Sequence, residues 1–385
     1  MQEAYIIQAK RTAIGKAVKG SLAQVRPDDL GAYVIQDILK RVPSLKPVEI
    51  DDCVIGCSFP EGEQGMNIGK IMAMRAGLPF DVPGMTVNRF CSSGLQAISM
   101  AADRIRLGEA DVMIAGGAES MSAVPLGGSK PAPNLFLVEN MPEAYVSMGI
   151  TAENVAKKYE ITRDQQDAFA VNSHQKAWAA QTSGRFDDEI VPVLLPNWGK
   201  PGEKWFSKDE GIRAETTLES LARLKPAFLN GGTVTAGNSS QTSDGAAITL
   251  LMSELKFKEL GLKPIAVWRG FAVAGVDPEL MGIGPIKAIP KVLKQVGLTL
   301  ADIDLFELNE AFASQSLAII KTLDIDIAKV NVNGGAVAFG HPLGCTGAKL
   351  TATLLSEMTK RKLKYGIVTM CIGGGMGAAG VFELL

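Results

Sequence analysis

The chain has 385 residues, more than one hydrophobic core usually organises, so we expect two or three subdomains. Hydrophobic residues make up 46% of the sequence and charged residues 21%, which is ordinary for a soluble globular protein. The formal net charge of -2 gives no electrostatic reason to expect binding to nucleic acid or to an anionic membrane surface.

The N-terminal sequence MQEAYIIQAKRTAIGK alternates charged and apolar residues and has no signal-peptide core. The least charged long segment, 365–382, contains six glycines, which makes it a poor membrane helix. We therefore expect a soluble, cytoplasmic protein without a membrane span. The five cysteines are odd in number and Cys53 and Cys57 are the only close pair, so we expect reduced thiols rather than a disulfide framework.

Short apolar runs alternate with amphipathic stretches along most of the chain. The apolar runs predict strands near 4–9, 53–58, 85–90, 112–117, 265–273, 304–308, 329–333, 366–371 and 379–384. The amphipathic stretches predict helices near 28–42, 66–76, 91–107, 284–296, 311–322 and 347–361. Strands that alternate with helices favour mostly parallel sheets covered on both faces.

The order of these elements repeats along the chain. Residues 38–42 (ILKRV), followed by EIDDCVIG, match residues 292–296 (VLKQV), followed by DIDLFELN. The segment that begins at Cys91 matches the segment that begins at Cys345, since both run from small residues through a helix into an apolar strand and glycines. The offset is about 253 residues at each point. The sequence thus predicts two similar halves that pack as a pseudo-twofold pair.

Residues 118–241 interrupt this pattern and form a long insertion on the first half. Within it, TRDQQDAFAVNSHQKAWAAQ predicts a helix, with Thr162 and Gln165 at capping-box spacing. The later stretch LPNWGKPGEKWFSKDEG is rich in Pro, Gly and Lys and predicts loops. An insertion of this kind is typical of segments that cover a site.

Cys91 stands in NRFCSSGLQA, where a predicted strand ends and a predicted helix begins. The helical pattern from Leu95 to Gly108 places Cys91 at or just before the first turn. Free backbone N–H groups and the positive end of the helix dipole favour a thiolate there, so we expect the thiol pKa to fall below its usual value of about 8.5. The alternative role of a lone cysteine is that of a small buried hydrophobic residue.

His341 lies in VNVNGGAVAFGHPLGCTGA between a predicted strand and a predicted helix, flanked by Gly340 and Pro342. These neighbours indicate a histidine held for chemistry, and a histidine that caps a turn is the alternative. The other histidine, His174, falls in a polar helix pattern, so we expect it at the surface. Two histidines so far apart, with no Cys-x-x-Cys pair, argue against a zinc site.

Cys371 and Asn309 also follow predicted strands, in MCIGGGMGAAG and NEAFA. The formal dinucleotide fingerprint Gly375-x-Gly377-x-x-Gly380 has no helix and no acidic residue downstream, so it is a weak match. We expect these glycines to let the backbone approach a ligand and to direct an N–H toward an oxyanion. With the cysteine and histidine above, these side chains would lie at the carboxyl ends of parallel strands, where open α/β sheets bind ligands.

Four blocks, NRFCSSGLQA, NEAFA, NVNGGAVAFGHPLGCTGA and CIGGGMGAAG, resemble the signature blocks of the thiolases in order and spacing, and the resemblance spans the whole chain. It implies an α/β fold of two duplicated βαβαβ-type halves, packed as a five-layered α-β-α-β-α core with an inserted loop domain. The first half would comprise 1–117 and 242–262, the inserted loop domain 118–241, and the second half 263–385.

The resemblance implies a role for each matching residue. Cys91 would be the nucleophile that becomes acylated, and His341 would activate it and help to bind the thioester oxygen. Cys371 would be the general acid/base that moves a proton to or from the α-carbon of acetyl-CoA. Asn309 would hold a water that completes one oxyanion hole with His341, and the backbone N–H groups of Cys91 and Gly373 would form the other.

By the same resemblance the insertion would bind coenzyme A, a co-substrate rather than a permanently bound cofactor. Arg213 and Ser240 fall where the family contacts coenzyme A, and Met148, Met281 and Phe312 fall where it lines the pantetheine and acyl end. From the residues alone, the two methionines fit ordinary core positions equally well. A homodimer or homotetramer and a partner in a β-oxidation multienzyme complex are also implied, and no metal is.

Within the family, two features favour the degradative 3-ketoacyl-CoA thiolases of fatty acid β-oxidation. These are the block FPEGEQGMN (59–67) and the cysteine in GHPLGCTGA. In addition, Ser147 occupies the position where members specific for acetoacetyl-CoA usually carry histidine. The implied reaction is thiolytic cleavage of 3-oxoacyl-CoA by coenzyme A to acetyl-CoA and a shortened acyl-CoA. The alternative is an acetoacetyl-CoA thiolase that works in the condensation direction.

Three classes of protein compete with this interpretation. A decarboxylating or polyketide-type condensing enzyme would have a Cys-His-His or Cys-His-Asn site, and Cys371 speaks against it. A non-catalytic acyl-CoA or sterol carrier of the same fold can lack the nucleophile, whereas Cys91, His341 and Cys371 are all present. A thiol redox protein that used both cysteines would have no Cys-x-x-Cys motif to support it.

Overall fold

The computed structural model describes residues 2–196 and 202–385, so residues 197–201 of the Pro-, Gly- and Lys-rich stretch lie outside the described residues. The strands are β1 (Ala4–Thr12), β2 (Gly15–Lys16), β3 (Asp52–Gly56), β4 (Met85–Val87), β5 (Val112–Ser120), β6 (Ile190–Val191), β7 (Val193–Leu194), β8 (Trp205–Phe206), β9 (Ser243–Ser253), β10 (Ala266–Gly275), β11 (Leu305–Leu308), β12 (Tyr365–Ile372) and β13 (Met376–Leu384). The helices are α1 (Pro27–Arg41), α2 (Ile68–Arg75), α3 (Ser93–Arg106), α4 (Leu135–Asn140), α5 (Met148–Lys158), α6 (Arg163–Thr182), α7 (Leu218–Ala222), α8 (Glu254–Glu259), α9 (Gly284–Val296), α10 (Ala313–Leu323), α11 (Ala336–Phe339) and α12 (Leu343–Arg361). Within the described ranges, none of these helices combines the length and apolar composition that a membrane crossing requires.

The larger sheet has the strand order β4-β3-β5-β9-β1-β10-β13-β12-β11. In its middle β1 and β10 pair antiparallel, with Tyr5 opposite Val267. From this pair outward, β9, β5, β3 and β4 follow on one side, and β13, β12 and β11 follow on the other. The two halves are therefore arranged alike about the central pair, in agreement with the duplication.

The prediction of a strand at 329–333 is wrong. Val330 makes an isolated parallel bridge to Phe306, at the place that β4 occupies in the other half. The next residue, Asn331, has a φ of +44° and bonds through its side chain to the N–H (2.9 Å) and the C=O (2.8 Å) of Leu308. This side-chain amide takes the bonds that a longer strand would make with its backbone.

β9 is not among the predicted strands, although all of its residues are buried. β9 pairs antiparallel with both β1 and β5, and β13 holds the equivalent place between β10 and β12. The expectation of mostly parallel sheets is therefore wrong. Within the two halves, parallel pairing is confined to β5, β3 and β4 and to β12 and β11.

Three apolar clusters separate the layers of the molecule. The first lies between the first half of the sheet and α1 and α2, around Leu30 and Met72. The second lies at the centre, where α3 and α12 pack between the two halves, around Leu95 and Leu354. The third lies between the second half and α9 and α10, around Ile289. The resulting order is α-β-α-β-α, the five layers that the resemblance implies.

The two central helices approach closely because glycines face the neighbouring helix. A Cβ on Gly94 would lie 2.9 Å from the carbonyl oxygen of Gly344, and one on Gly347 would lie 2.4 Å from the backbone nitrogen of Leu95. Only a residue without a side chain allows this approach. The beginnings of α3 and α12 are thereby brought together, and with them the segments that carry the candidate cysteine and histidine.

The insertion is tied to the rest of the fold in its interior and near its C-terminal end. β6 pairs parallel with β1. Near the end of the insertion, Ser239 forms an antiparallel bridge with Phe312. α6 begins at the predicted capping box, in which Thr162 and Gln165 each bond to the other's backbone N–H. The Ser239–Phe312 bridge thus places the C-terminal end of the insertion beside the segment that follows β11.

Candidate active site

Cys91 sits in a single 3-10 turn, Phe90–Ser92, between β4 and α3. Phe90 has a φ of +42°, a conformation that costs a bulky residue about 1–3 kcal/mol. The N–H of Phe90 donates to Oδ1 of Asn88 (2.8 Å), and the hydroxyl of Ser93 donates to the C=O of Phe90 (2.7 Å). These hydrogen bonds stabilise the turn and fix Cys91 just ahead of the helix.

The Cys91 thiol is buried, and the backbone N–H groups of Gly373 and of Cys91 itself favour its thiolate form. Burial nevertheless raises the pKa of this thiol to about 12. The prediction of a lowered pKa is therefore wrong, because removal from water outweighs the two N–H groups and the nearby helix start. A base must take the proton before Cys91 can act as a nucleophile.

Cys371 lies on β12 and is fully buried. Burial raises the pKa of its thiol well above the usual value, and the neighbouring Cys91 raises it further. The turn that carries Cys91 packs against β12 and α12. The structure thus brings together two thiols that lie far apart in the sequence.

The glycines after Cys371 form the tight connection between β12 and β13. Gly374 and Gly375 have φ values of +81° and +83°, which favour glycine. A Cβ on Gly375 would lie 2.4 Å from the carbonyl oxygen of Val276. The run is therefore a hairpin turn rather than a dinucleotide-binding loop, and it brings the N–H of Gly373 close enough to favour the thiolate form of Cys91.

The imidazole of His341 is held in one tautomer. The hydroxyl of Thr346 donates to the C=O of Pro342 (2.9 Å), so it accepts from Nδ1 of His341, which lies 2.6 Å away. Nδ1 therefore carries the proton, and Nε2 accepts from Nδ2 of Asn309 (3.3 Å). Burial, with a smaller contribution from the charge of Lys349, lowers the pKa of His341 to about 3. The neutral ring has an unprotonated Nε2 and can act as a base.

Asn309 follows β11 directly, and its backbone is held on both sides. Its N–H donates to the C=O of Thr369 (2.9 Å), and its C=O accepts from Nε2 of Gln315 (3.3 Å). Its Oδ1 is buried and has no hydrogen-bond partner among the described residues. Buried amide oxygens are normally paired, so this atom is suited to accept from a water or a bound ligand.

The residues predicted to line the acyl end share one apolar cluster. Met281, Phe312 and Cys371 are buried together, and the half-buried Met148 packs against them. Met148 also approaches the glycine turn, since a Cβ on Gly373 would lie 3.9 Å from its Sδ. The cluster therefore places two methionines and a phenylalanine around the second thiol.

Arg213 and Ser240 both lie in the insertion, at different distances from this cluster. Ser240 is half-buried, and its N–H donates to the C=O of Ala311 (2.9 Å), next to Phe312. The Arg213 side chain is exposed, and its backbone N–H donates to Nδ1 of His174 (3.1 Å). The structure thus joins Ser240 to the thiol cluster and leaves Arg213 at the surface.

The prediction that His174 lies at the surface is wrong, because the side chain is only 3% exposed. Burial lowers the pKa of His174 to about 4, with a contribution from the charge of Arg213. The signal that could have located it is the spacing of Ala170, His174 and Ala177, all buried, along one face of α6. Small residues on that face hid the pattern from a search for large apolar side chains.

Glu119 is a residue near the site that the sequence analysis missed. Its buried carboxylate accepts from the backbone N–H groups of Ser58 (2.8 Å) and Gly344 (2.7 Å) and from Nε2 of Gln64 (2.8 Å). Burial raises the pKa of this carboxyl. Glu119 joins the end of β3 to the first turn of α12, and the signal for it was one acidic residue in the apolar strand VMIAGGAES.

In the described part of the chain, no group of three or more His, Cys, Asp or Glu side chains is placed to hold a metal ion. All five cysteines are buried free thiols, as the sequence predicts.

Comparison with known proteins identifies the family. Residues 4–255 match the thiolase N-terminal domain, and residues 262–384 match the thiolase C-terminal domain. The chain is 59% identical to the 3-ketoacyl-CoA thiolase of Bacillus subtilis, over the full length of both proteins. It is 47% identical to the acetyl-CoA acetyltransferase of Cupriavidus necator, over 98% of each.

A solved structure agrees with these matches. The crystal structure of the Bacillus anthracis acetyl-CoA acetyltransferase superposes with a TM-score of 0.92 at 45% identity, and the match covers 100% of this chain and 99% of that one. Because both domain models and full-length relatives match almost from end to end, the chain belongs to the thiolase family of acyltransferases.

Proposed function

We propose that this acyltransferase cleaves 3-oxoacyl-CoA with coenzyme A to acetyl-CoA and a shortened acyl-CoA, through an acyl intermediate on Cys91. The observation that carries the proposal is the pair of neighbouring thiols, Cys91 and Cys371, together with a neutral imidazole just before α12, the helix that packs against the turn carrying Cys91. Two thiols allow the nucleophile and the acid/base to be different groups.

In the first half-reaction His341 takes the Cys91 proton on Nε2, and the sulfur attacks the C3 carbonyl carbon of the substrate. The C2–C3 bond then breaks, and its electron pair leaves with the acetyl-CoA enolate. The Cys371 thiol donates its proton to C2, which releases acetyl-CoA and leaves Cys371 as a thiolate. A raised thiol pKa suits this step, because Cys371 then holds its proton until the enolate forms.

In the second half-reaction the Cys371 thiolate takes the proton of coenzyme A, whose sulfur attacks the acyl thioester on Cys91. The tetrahedral intermediate expels the Cys91 sulfur, which recovers its proton from the His341 imidazolium. Both thiols and the imidazole return to their starting protonation states, so the cycle balances without an added oxidant or reductant.

Two pairs of donors would stabilise the negative oxygens. The N–H groups of Cys91 and Gly373 both favour negative charge on the Cys91 sulfur, so they are suited to bind an oxygen on the carbon attached to it. Nδ2 of Asn309 lies 3.3 Å from Nε2 of His341. His341 would bind the enolate oxygen directly, and Asn309 would bind it through a water held by its side-chain amide.

We assign coenzyme A to the surface formed by the insertion. Met148, Met281 and Phe312 lead to the thiols and would line the pantetheine and acyl end. Ser240 lies beside Phe312, and the exposed Arg213 would bind an anionic part of the coenzyme. In the proposed domain organisation, the first half comprises 1–117 and 242–262, the inserted loop domain 118–241, and the second half 263–385.

The substrate branch is tested by thiolysis rates against acyl chain length, from acetoacetyl-CoA to long-chain 3-oxoacyl-CoA, at fixed coenzyme A. We expect kcat/KM for longer chains to exceed that for acetoacetyl-CoA. The 59% identity to a protein named 3-ketoacyl-CoA thiolase supports this branch. Activity confined to acetoacetyl-CoA would contradict it.

The second candidate is an acetoacetyl-CoA thiolase that condenses two acetyl-CoA molecules. The observation that favours it is the 47% identity to a full-length protein named acetyl-CoA acetyltransferase. Ser147, at the N-cap of α5, stands against it, since this position is occupied by a hydroxyl rather than an imidazole. A non-catalytic carrier is a weaker candidate, because such a carrier would not need the paired thiols and the neutral imidazole.

We further propose a cytoplasmic homo-oligomer, either a dimer or a tetramer, that can associate with a β-oxidation partner. The bacterial relative supports the compartment, and light scattering of the purified protein would decide the oligomer. A monomer at micromolar concentration would contradict this proposal.

A further inference from the structure

Lys349 is a buried lysine that the reaction steps above do not use. It lies on α12 and is 2% exposed. Its side chain extends back past the start of the helix, where Nζ donates to the C=O of Gly340 (3.1 Å). Nζ also lies 5.6 Å from the centre of the Phe339 ring. A buried cation is costly, so its retention next to the candidate histidine calls for a physical role.

The hydrogen bond of Lys349 holds one end of the peptide unit between Gly340 and His341. The other end is held by the His341 N–H, which donates to the C=O of Gln241 (3.0 Å). Gly340 itself has a φ of +104°, and a Cβ there would lie 1.9 Å from Oγ of Ser243. The peptide that determines where the imidazole points is therefore fixed on both sides by residues outside the reacting centre.

The charges around Lys349 come from three other parts of the fold. Arg11 of β1 forms two hydrogen bonds with Asp209 (2.8 and 3.0 Å) and one with Glu189 (2.7 Å), both from the insertion. Burial and the charge of Arg11 lower the pKa of Lys349, whereas the charge of Asp209 favours its protonated form. Glu307 of β11 is also near, and burial raises the pKa of this carboxyl well above its usual value. Cys345 on α12 is a further titratable neighbour of Lys349.

We propose that Lys349 is a positioning residue for His341: it fixes the Gly340–His341 peptide through its hydrogen bond and places its charge beside the imidazole. The inference rests on the proposed role of His341 as the base for Cys91. Among the described residues, Lys349 is the charged group that lowers the pKa of the imidazole, and the side chains bonded to the ring are Thr346 and Asn309.

The charge of Lys349 and the burial of His341 act in the same direction. Burial lowers the pKa of His341, and the lysine cation disfavours a second positive charge nearby. Removal of the cation will therefore raise the pKa of His341. Removal of the hydrogen bond will loosen the peptide, and a misplacement of about 1 Å is enough to cost on the order of a hundredfold in rate.

Three variants test the proposal. Lys349→Met removes both charge and hydrogen bond, Lys349→Gln keeps a donor without charge, and Lys349→Arg keeps both. We expect Lys349→Met to lower kcat by about ten- to a hundredfold with KM within about twofold, and to move the acid limb of the kcat profile to higher pH. Lys349→Arg should restore most of kcat and the original limb.

Lys349→Met with the thermal transition, kcat and pH limb of the parent protein would overturn the proposal. If that variant does not fold, Lys349→Gln decides: a shifted acid limb supports the role and an unshifted limb overturns it. A lower melting temperature with an unshifted limb would show a purely structural lysine. Formation of acyl-Cys91 by the parent protein is measured in parallel, so failure of the proposed function is seen independently of these variants.

Discussion

Thr346 Oγ1 lies 2.6 Å from Nδ1 of His341, and its hydroxyl donates a hydrogen bond to the C=O of Pro342 (2.9 Å). The imidazole must therefore carry its proton on Nδ1, which leaves Nε2 as the atom that faces Asn309. A hydroxyl five residues along the chain thus decides which nitrogen is available as a base.

The two histidines of the chain should show opposite tautomers. His341 is protonated on Nδ1, whereas His174 accepts the Arg213 N–H on Nδ1 and is protonated on Nε2. Nitrogen-15 spectra of histidine-labelled protein will distinguish the two patterns, and His174→Asn will assign them. Two identical tautomers would contradict the hydrogen bonds described here.

Neither histidine should titrate near neutral pH. Burial lowers the pKa values of His341 and His174 to about 3 and about 4, whereas an unfolded histidine titrates near 6.5. At these two sites the unfolded chain binds protons first as the pH falls below about 6.5, so each histidine makes the free energy of unfolding decrease from there toward pH 4. Glu119 and Glu307, whose pKa values burial raises, act in the opposite direction, so the test compares denaturant titrations of the parent protein and of His174→Asn. The parent should lose more stability on acidification than His174→Asn, and an identical pH dependence of the two would contradict the pKa shift of His174.

Thr346→Val should impair the base without unfolding the protein. The change keeps the shape of the side chain and removes the acceptor for Nδ1, so the imidazole loses its tautomer. We expect kcat to fall by about ten- to a hundredfold, as for other histidines that lose their orienting partner, with KM little changed. Thr346→Ser is the matched control and should retain most of kcat. Equal kcat in the valine and serine variants would refute the role of this hydroxyl.

Cys371→Ala should separate acylation from carbon–carbon cleavage. Cys91 and His341 remain, so the variant should still be acylated by an acyl-CoA. Thiolysis of 3-oxoacyl-CoA needs a proton donor for the enolate and should fall by about 10²–10⁴-fold. Cys53→Ala is the control, since Cys53 is equally buried but lies in the outer layer on β3. Normal thiolysis by Cys371→Ala would exclude the acid/base role.

His174→Leu should weaken coenzyme A binding more than it slows the reaction. The variant loses the acceptor for the Arg213 N–H, one hydrogen bond that holds the segment of that arginine. We expect KM for coenzyme A to rise about five- to tenfold, with kcat within about twofold. His174→Asn keeps an acceptor and should lie closer to the parent protein. An unchanged KM for coenzyme A in the leucine variant would show that His174 does not support coenzyme A binding.

Much of the fold could be predicted because the two halves of the sequence contain matching segments. Matching segments after Cys91 and after Cys345 led to two like halves, and the structure shows them on either side of β1 and β10. β9 was missed because SDGAAITLLMS is buried on both faces and has no alternating pattern. The strand expected at 329–333 failed because the Asn331 side chain takes the hydrogen bonds of a neighbouring strand.

The site could be predicted less completely than the fold. The sequence indicated which residue types meet, but it could not weigh burial against local dipoles. The helix start near Cys91 suggested a lowered pKa, and the structure shows that burial dominates and raises it. No local sequence pattern indicated the roles of three buried residues: Thr346, Glu119 and Lys349. Their hydrogen bonds to other residues form only when α12 packs in the central layer.

The most direct test of the account is to trap the intermediate. The protein is incubated with 3-oxoacyl-CoA in the absence of free coenzyme A, and intact-mass spectrometry with peptide mapping locates the adduct. We predict one acyl group, shorter than the substrate by the acetyl unit, on Cys91, and none in Cys91→Ser. An adduct on another cysteine, or no adduct at all, would contradict the central claim that Cys91 is the nucleophile.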